Sequence, residues 1–131
     1  MARKMPIAFA ALMLVLAPAA YGKTEPSSLR LVMVADANGN GLPNWNDRVT
    51  FSVSTTATTE PHVSLKCFQS GSLVYTTQTG YYPGYLWPWT QVMTLSSPAW
   101  SGGGADCTAR LYTFKSGKTL TLQTLSFHVA A

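Results

Sequence analysis

The sequence predicts an all-β protein, one two-sheet Greek-key sandwich of about seven antiparallel strands closed by a single disulfide. Three observations predict it. Apolar residues alternate with small hydroxylated ones at period two in segment after segment. Clusters of Gly, Pro, Asn and Ser interrupt these segments at short spacing. The two cysteines, Cys67 and Cys107, fall on the apolar parity of two such segments.

Leu29 to Ala35 reads as the first strand, with Leu29, Leu31 and Met33 on one face. Arg48 to Thr56 is the clearest. There Val49, Phe51 and Val53 alternate with Thr50, Ser52 and Ser54, the pattern of a half-buried strand. His62 to Gln69 places Val63, Leu65 and Cys67 on one side, and Ser70-Gly71 then forms a hairpin turn into Leu73 to Gln78. In Trp89 to Ser96, Trp89, Met93 and Leu95 share a parity. Ala105 to Phe114 puts Ala105, Cys107, Ala109 and Leu111 on one face and Thr108, Arg110 and Tyr112 on the other. Ser116-Gly117 is a second hairpin turn, and Thr119 to Val129 is the last strand. That strand carries a conflict: Leu120 and Leu122 hold one parity, Leu125, Phe127 and Val129 the other. One face can bury both sets only with an extra residue, so a β-bulge is expected near Gln123 or Thr124. No segment after residue 22 shows a helical period, and the hydroxylated and β-branched content suits strands. A small barrel is the alternative arrangement.

The first 22 residues set the expected compartment. Arg3 and Lys4 precede an uncharged apolar run from Ile7 to Ala20, and Ala20-Tyr21-Gly22 places small residues at the −3 and −1 positions of a cut after Gly22. This is the layout of a secretory signal. Cuts after Ala19 or Ala20 are alternatives. The competing reading is a membrane anchor, but a spanning helix needs about 20 apolar residues, and this run is shorter and holds Pro18. Residues 1–22 are therefore read as signal and 23–131 as the domain. The expectation is a secreted or cell-envelope protein with no membrane span once the signal is gone. Of nine Lys and Arg against five Asp and Glu, loss of Arg3 and Lys4 leaves seven against five, a net charge of +2. Those seven are scattered rather than clustered, which argues against nucleic-acid binding.

An even cysteine count in an exported chain favours a disulfide over free thiols or a metal pair. Neither Cys has His62 or His128 at ligand spacing. Cys67 shares its face with Val63 and Leu65, and Cys107 with Ala109 and Leu111, so both point into the core. The sulfurs are expected to join there, between the two apolar sheet faces.

The stretch Asp36-Ala-Asn-Gly-Asn-Gly-Leu-Pro-Asn-Trp-Asn-Asp47, running into Arg48-Val-Thr-Phe51, resembles the first-strand loop of the immunoglobulin-like repeats of bacterial surface adhesins. Those repeats carry an Asp/Asn/Gly-rich loop, an Asp, and then Val/Ile-Thr-aromatic opening the second strand. Ala105-Asp-Cys-Thr-Ala109 is similar to a penultimate sandwich strand with its cysteine. The loop match covers about 16 residues. The resemblance implies an immunoglobulin-like sandwich at the cell surface. In antibody-type domains the first cysteine sits on the second strand. Here Cys67 falls on the third, so no antigen-receptor role is implied.

The same loop has the spacing of a calcium loop. Asp36, Asn38 and Asn40 occupy positions 1, 3 and 5, Gly41 the turn at 6, Leu42 a carbonyl position at 7, Asn44 position 9 and Asp47 position 12. Alternate residues of a tight loop point inward, which supplies the hard oxygens calcium requires. With only two carboxylates, and Asp where Glu is usual, the expected affinity lies in the extracellular range of about 10⁻⁴–10⁻³ M. The second reading of the loop is a long Asn/Gly turn held by side-chain to backbone hydrogen bonds, without an ion.

Tyr81-Tyr-Pro-Gly-Tyr-Leu-Trp-Pro-Trp89 gathers three Tyr and two Trp. Tyr81, Tyr82, Tyr85, Trp87 and Trp89 form either a recognition loop for a protein or glycan, or a cap folded over one end of the core. Catalysis is not expected. The five carboxylates Glu25, Asp36, Asp47, Glu60 and Asp106 are dispersed or committed, and no Gly-x-Ser-x-Gly elbow occurs. Ser101-Gly-Gly-Gly104 lacks the lysine and helix of a phosphate loop. The classes that remain are a non-catalytic binding or adhesion domain, a self-assembling surface subunit, and a secreted inhibitor or effector using residues 81–89.

Overall fold

The structure, a computed structural model, describes residues 26–80 and 92–131. The signal segment 1–22, its cleavage point and the aromatic stretch with Tyr81, Tyr82, Tyr85, Trp87 and Trp89 lie outside the described residues. Seven strands form in chain order: β1 Ser28–Ala35, β2 Arg48–Ser54, β3 His62–Gln69, β4 Ser72–Gly80, β5 Met93–Thr94, β6 Ala105–Lys115 and β7 Lys118–Val129. They make two antiparallel sheets, one ordered β1-β2-β5 and one ordered β4-β3-β6-β7.

Both sheets contribute to one core. Leu29, Val49, Phe51 and Met93 face inward from the three-stranded sheet; Val63, Leu65, Val74, Ala105, Ala109, Leu111 and Val129 face inward from the four-stranded sheet. Leu95 and Trp100 fill the space beside the connection that follows β5, and both are fully buried. Trp100 has the largest of the buried side chains. Its indole N–H donates to Gly103 O at 2.9 Å, so its polar edge is satisfied inside the core. Trp45 donates in turn to Trp100 O at 2.8 Å.

The hairpins follow from their turn residues. Ser70 and Gly71 have φ of 48° and 83°, and Ser116 and Gly117 have 54° and 75°. Positive φ at both central residues marks the turn whose twist matches antiparallel strands. β5 is shorter than the alternation predicts, ending at Thr94 instead of Ser96. Leu95 leaves the ladder because its backbone is used elsewhere. Its N–H donates to Asp47 O at 2.8 Å, and its carbonyl accepts from Asn46 N–H at 2.8 Å.

The bulge in β7 is present, one residue from the expected place. Leu111 pairs with Gln123 and Tyr112 with Thr121, so Leu122 is the extra residue. Leu122 and Leu125, three apart, thereby both pack on the core, while Leu120 is turned out. Two more bulges do similar work. Val74 is extra in β4, so Val74 and Tyr75 both reach the core, and Val34 is extra at the end of β1.

The disulfide forms between Cys67 and Cys107, but within one sheet and not from sheet to sheet. The two residues are direct register partners on β3 and β6, with Cα atoms 4.0 Å apart. Adjacent strands bring facing Cβ atoms that close without help from the opposite sheet. The cystine is buried on the inner face, at 0% and 2% exposure. It closes a loop of 40 residues. In the chain-entropy account, replacing both cysteines by Ala lowers unfolding free energy by about 4 kcal/mol. Urea unfolding of the oxidised protein and the double variant measures this, and a loss below about 1 kcal/mol would contradict it.

Candidate functional site

The loop between β1 and β2 is built by hydrogen bonds from its own side chains. The Asp36 carboxylate accepts the Gly41 N–H through Oδ2. Asn38 Oδ1 accepts the Asn40 N–H at 3.2 Å, and Asn40 Oδ1 accepts the Leu42 N–H at 2.9 Å. Side chains at positions 1, 3 and 5 therefore each turn back onto the loop's backbone. Gly41 stands at φ 75°, a region a β-carbon disfavours, and the chain reverses there. Asn38 Nδ2 and Asn40 Nδ2 both donate to Asn44 Oδ1, at 3.3 and 3.4 Å. Leu42 leaves its side chain 64% exposed, as suits a position expected to offer only its backbone.

Asp47 has a different setting. It is 3% exposed, and its two oxygens accept the N–H groups of Ala37 at 3.3 Å and Asn44 at 2.9 Å. The Asp47 N–H donates to Asn44 O at 3.0 Å, closing a turn whose third residue, Asn46, has φ 74°. A turn of that shape favours Gly or Asn at its third position. Asp47 is thus the anchor that ties both ends of the loop to the entry of β2.

The loop also grips the end of the last strand. Asn44 forms a parallel bridge with Ala130. Trp45 N–H donates to Ala130 O at 2.7 Å, Ala130 N–H donates to Pro43 O at 3.0 Å, and Asn44 Nδ2 donates to Ala131 O at 3.2 Å. The six residues Asp36, Asn38, Asn40, Leu42, Asn44 and Asp47 are thereby gathered into one bonded loop. Asp36 Oδ1 is a buried side-chain atom of the loop with no hydrogen-bond partner among the described residues. A buried carboxylate oxygen without a donor or a cation is costly. Among the described residues no group of three or more His, Cys, Asp and Glu gathers as metal ligands. A cation in this loop would therefore draw on amide and carbonyl oxygens besides the carboxylates.

The sequence reading did not single out an aromatic cluster on the outer face of the four-stranded sheet. His62 stacks on Tyr112 with ring centres 5.4 Å apart, and Phe114 meets both edge-on at 5.3 and 5.7 Å. A β-carbon at Gly80 would overlap His62 Nδ1, so glycine makes room for that ring. The signal lay in the parities: the alternation that sends Val63 and Leu111 inward sends His62 and Tyr112 outward, and the register makes them neighbours. Asp106 Oδ1 and His128 Nδ1 form an exposed hydrogen-bonded pair at 2.8 Å, which commits that carboxylate.

No family model, no curated protein and no solved structure matches the chain.

The two carboxylates should differ on mutation. Asp47→Ala leaves the Ala37 and Asn44 N–H groups without their acceptor at a part-buried site and should lower unfolding free energy by roughly 2–3 kcal/mol. Asp36→Ala removes a buried orphan along with one accepted bond, so its cost in metal-free buffer should be under about 1 kcal/mol. Thermal and urea unfolding of both variants in metal-free buffer checks the ranking, and equal losses would contradict it.

Proposed function

We propose that this chain is an exported, non-catalytic binding domain of the adhesion type. On this reading it is an immunoglobulin-like Greek-key sandwich whose β1–β2 loop is stiffened by calcium and whose surface meets a protein or glycan. The observation that carries the reading is Asp36 Oδ1, a buried carboxylate oxygen with no hydrogen-bond donor among the described residues, at position 1 of a calcium-spaced loop. A cation is the partner that supplies what this oxygen lacks.

The strand order supports the sandwich. Strands 1-2-5 on one side and 3-6-7 on the other follow immunoglobulin-type connectivity, with β4 added at the β3 edge. A buried cystine is suited to an oxidising compartment. A millimolar calcium site is useful where calcium is millimolar, which also favours the exterior. The role assigned to the ion is structural. It neutralises Asp36, holds the Asn38–Asn44 turn, and through Asn44 and Trp45 fixes the end of β7.

With a Kd near 10⁻³ M, 10 mM calcium stabilises the folded state by about 1.4 kcal/mol. For a domain of this size that raises Tm by roughly 5–10 °C. Asp36→Asn should abolish the rise, and magnesium should give less of it because its octahedral demand suits this loop poorly. Calorimetric scans with and without calcium check this. An unchanged Tm at 10 mM calcium would overturn the metal reading.

A further inference from the structure

We propose that the outer face of the four-stranded sheet holds a binding site for a carboxylate-bearing sugar, seated between Lys66, Arg110 and the Tyr112–Phe114 ring pair. The proposal rests on reading the chain as a binding domain and names the ligand class for it.

A cavity of about 310 Å³ opens on this face, at the lower end of the range for small-molecule sites. Its cations are Lys66 on β3 and Arg110 on β6, which the register sets diagonally across one strand pair on the same face. They have no carboxylate of their own. The chain has five Asp and Glu. Asp36 and Asp47 sit in the β1–β2 loop, Asp106 is bound to His128 at 2.8 Å, and Glu60 lines a separate, smaller recess with His62 and Phe114. Glu25 lies outside the described residues. Among the described residues no carboxylate comes within ion-pair distance of Lys66 or Arg110. Two adjacent like charges facing one cavity favour an anion from outside.

Arg110 is held ready for one. Its guanidinium lies 4.9 Å from the centre of the Tyr112 ring. A guanidinium over a ring can keep the in-plane N–H donors of its edge for a carboxylate. Among the described residues no protein hydrogen bond takes up that edge, and Nε is buried without a partner.

The rest of the lining selects a sugar over an acidic peptide. Phe114 is 59% exposed and its ring meets Tyr112 at 88° and His62 at 71°, which leaves a flat ring face to the solvent. Ser64 and Thr119 offer hydroxyls to the cavity. Tyr112 Oη donates to Gln78 Oε1 at 3.3 Å, which leaves the Gln78 amide N–H groups as donors. Hydroxyls, an amide and an exposed ring match a ring of carbon bearing hydroxyl groups. An acidic peptide would meet the same two cations but carries no ring to lie on Phe114 and no hydroxyls to match Ser64 and Thr119.

The test is an amide NMR titration of the full domain in buffer free of divalent ions. The probes are a tetramer of galacturonic acid, the same tetramer fully methyl-esterified, and an acetylated diglutamate peptide. The acid tetramer should shift Lys66, Arg110, Tyr112 and Thr119. Its Kd should weaken at least tenfold on esterification, tenfold with Arg110→Gln, and severalfold between 50 and 500 mM salt, as screening of this charge pair requires, on the order of these changes. Lys66→Gln, at an exposed position, gives the same reading if the Arg110 variant fails to fold. Equal binding of acid and ester would overturn the carboxylate assignment. Tighter binding of diglutamate at these residues would overturn the sugar assignment. No shift on this face with the acid tetramer would overturn the site itself. The calcium-dependent Tm is unaffected by any of these outcomes, so the two readings fail separately.

Discussion

Cys67 standing opposite Cys107 fixes the register of β3 against β6, and most of the molecule follows from that register. These two strands are the centre of the larger sheet, with β4 and β7 outside them. With the cysteines paired, Leu65 faces Ala109 and Val63 faces Leu111, all fully buried. A small residue beside a large one keeps the inner surface close-packed beneath Phe51 and Trp100. The same register places Ser64 beside Arg110 and His62 beside Tyr112 on the outside. A slip of one residue would send Arg110 and Lys66 into the core. The covalent bond therefore does more than restrict the unfolded chain. It decides which side chains meet on both faces.

The legible part of the fold is the part governed by alternation. Val49-Thr-Phe-Ser-Val53 and Val63-Ser-Leu-Lys-Cys67 each state one face without ambiguity, and β3 has the bounds the pattern gives it. The parity switch in β7 was readable because three apolar residues follow two on opposite phases, and only an inserted residue reconciles them. The bulge in β4 was not readable. Leu73, Val74 and Tyr75 are consecutive and apolar, so either phase buries something, and the sequence alone does not say that Leu73 is turned out at 48% exposure. The in-sheet position of the disulfide was hidden for a related reason. Parity gives the face of each cysteine, but adjacency of β3 and β6 is a matter of topology.

In the candidate loop, spacing located six residues that the fold gathers into one turn. The side chains at positions 1, 3 and 5 accept N–H groups of their own loop, the bonds expected of the ion-free turn. Asp47 sits at position 12, yet its two oxygens hold the N–H groups of Ala37 and Asn44. Spacing counts residues and carries no record of which backbone donors lie nearby. One of those N–H groups follows β1 and the other precedes β2, and the carboxylate between them reaches both. The bare turn and the calcium loop thus share most of their bonds, and Asp36 Oδ1 is the atom that separates them.

The β1–β2 loop and the aromatic cluster lie at opposite ends of the larger sheet, and the pairing scheme shows it. The β1–β2 loop binds Ala130 and Ala131, beside the end of β7 where Val129 pairs with Ala105. The aromatic cluster lies toward the other end, where His62 pairs with Gly80 and Tyr112 with Thr121, and the cationic cavity extends from it to Arg110 and Lys66 at mid-sheet. β7 passes both, with Ser126 and Thr124 in the rows of Lys66 and Arg110 on the loop side of the Leu122 bulge and Thr121 in the row of Tyr112 beyond it. The cystine holds β3 and β6 together independently of the loop. The loop sets how firmly the sandwich is closed at one end, and the outer face of β3 and β6 keeps its geometry because the bond between Cys67 and Cys107 has already fixed it.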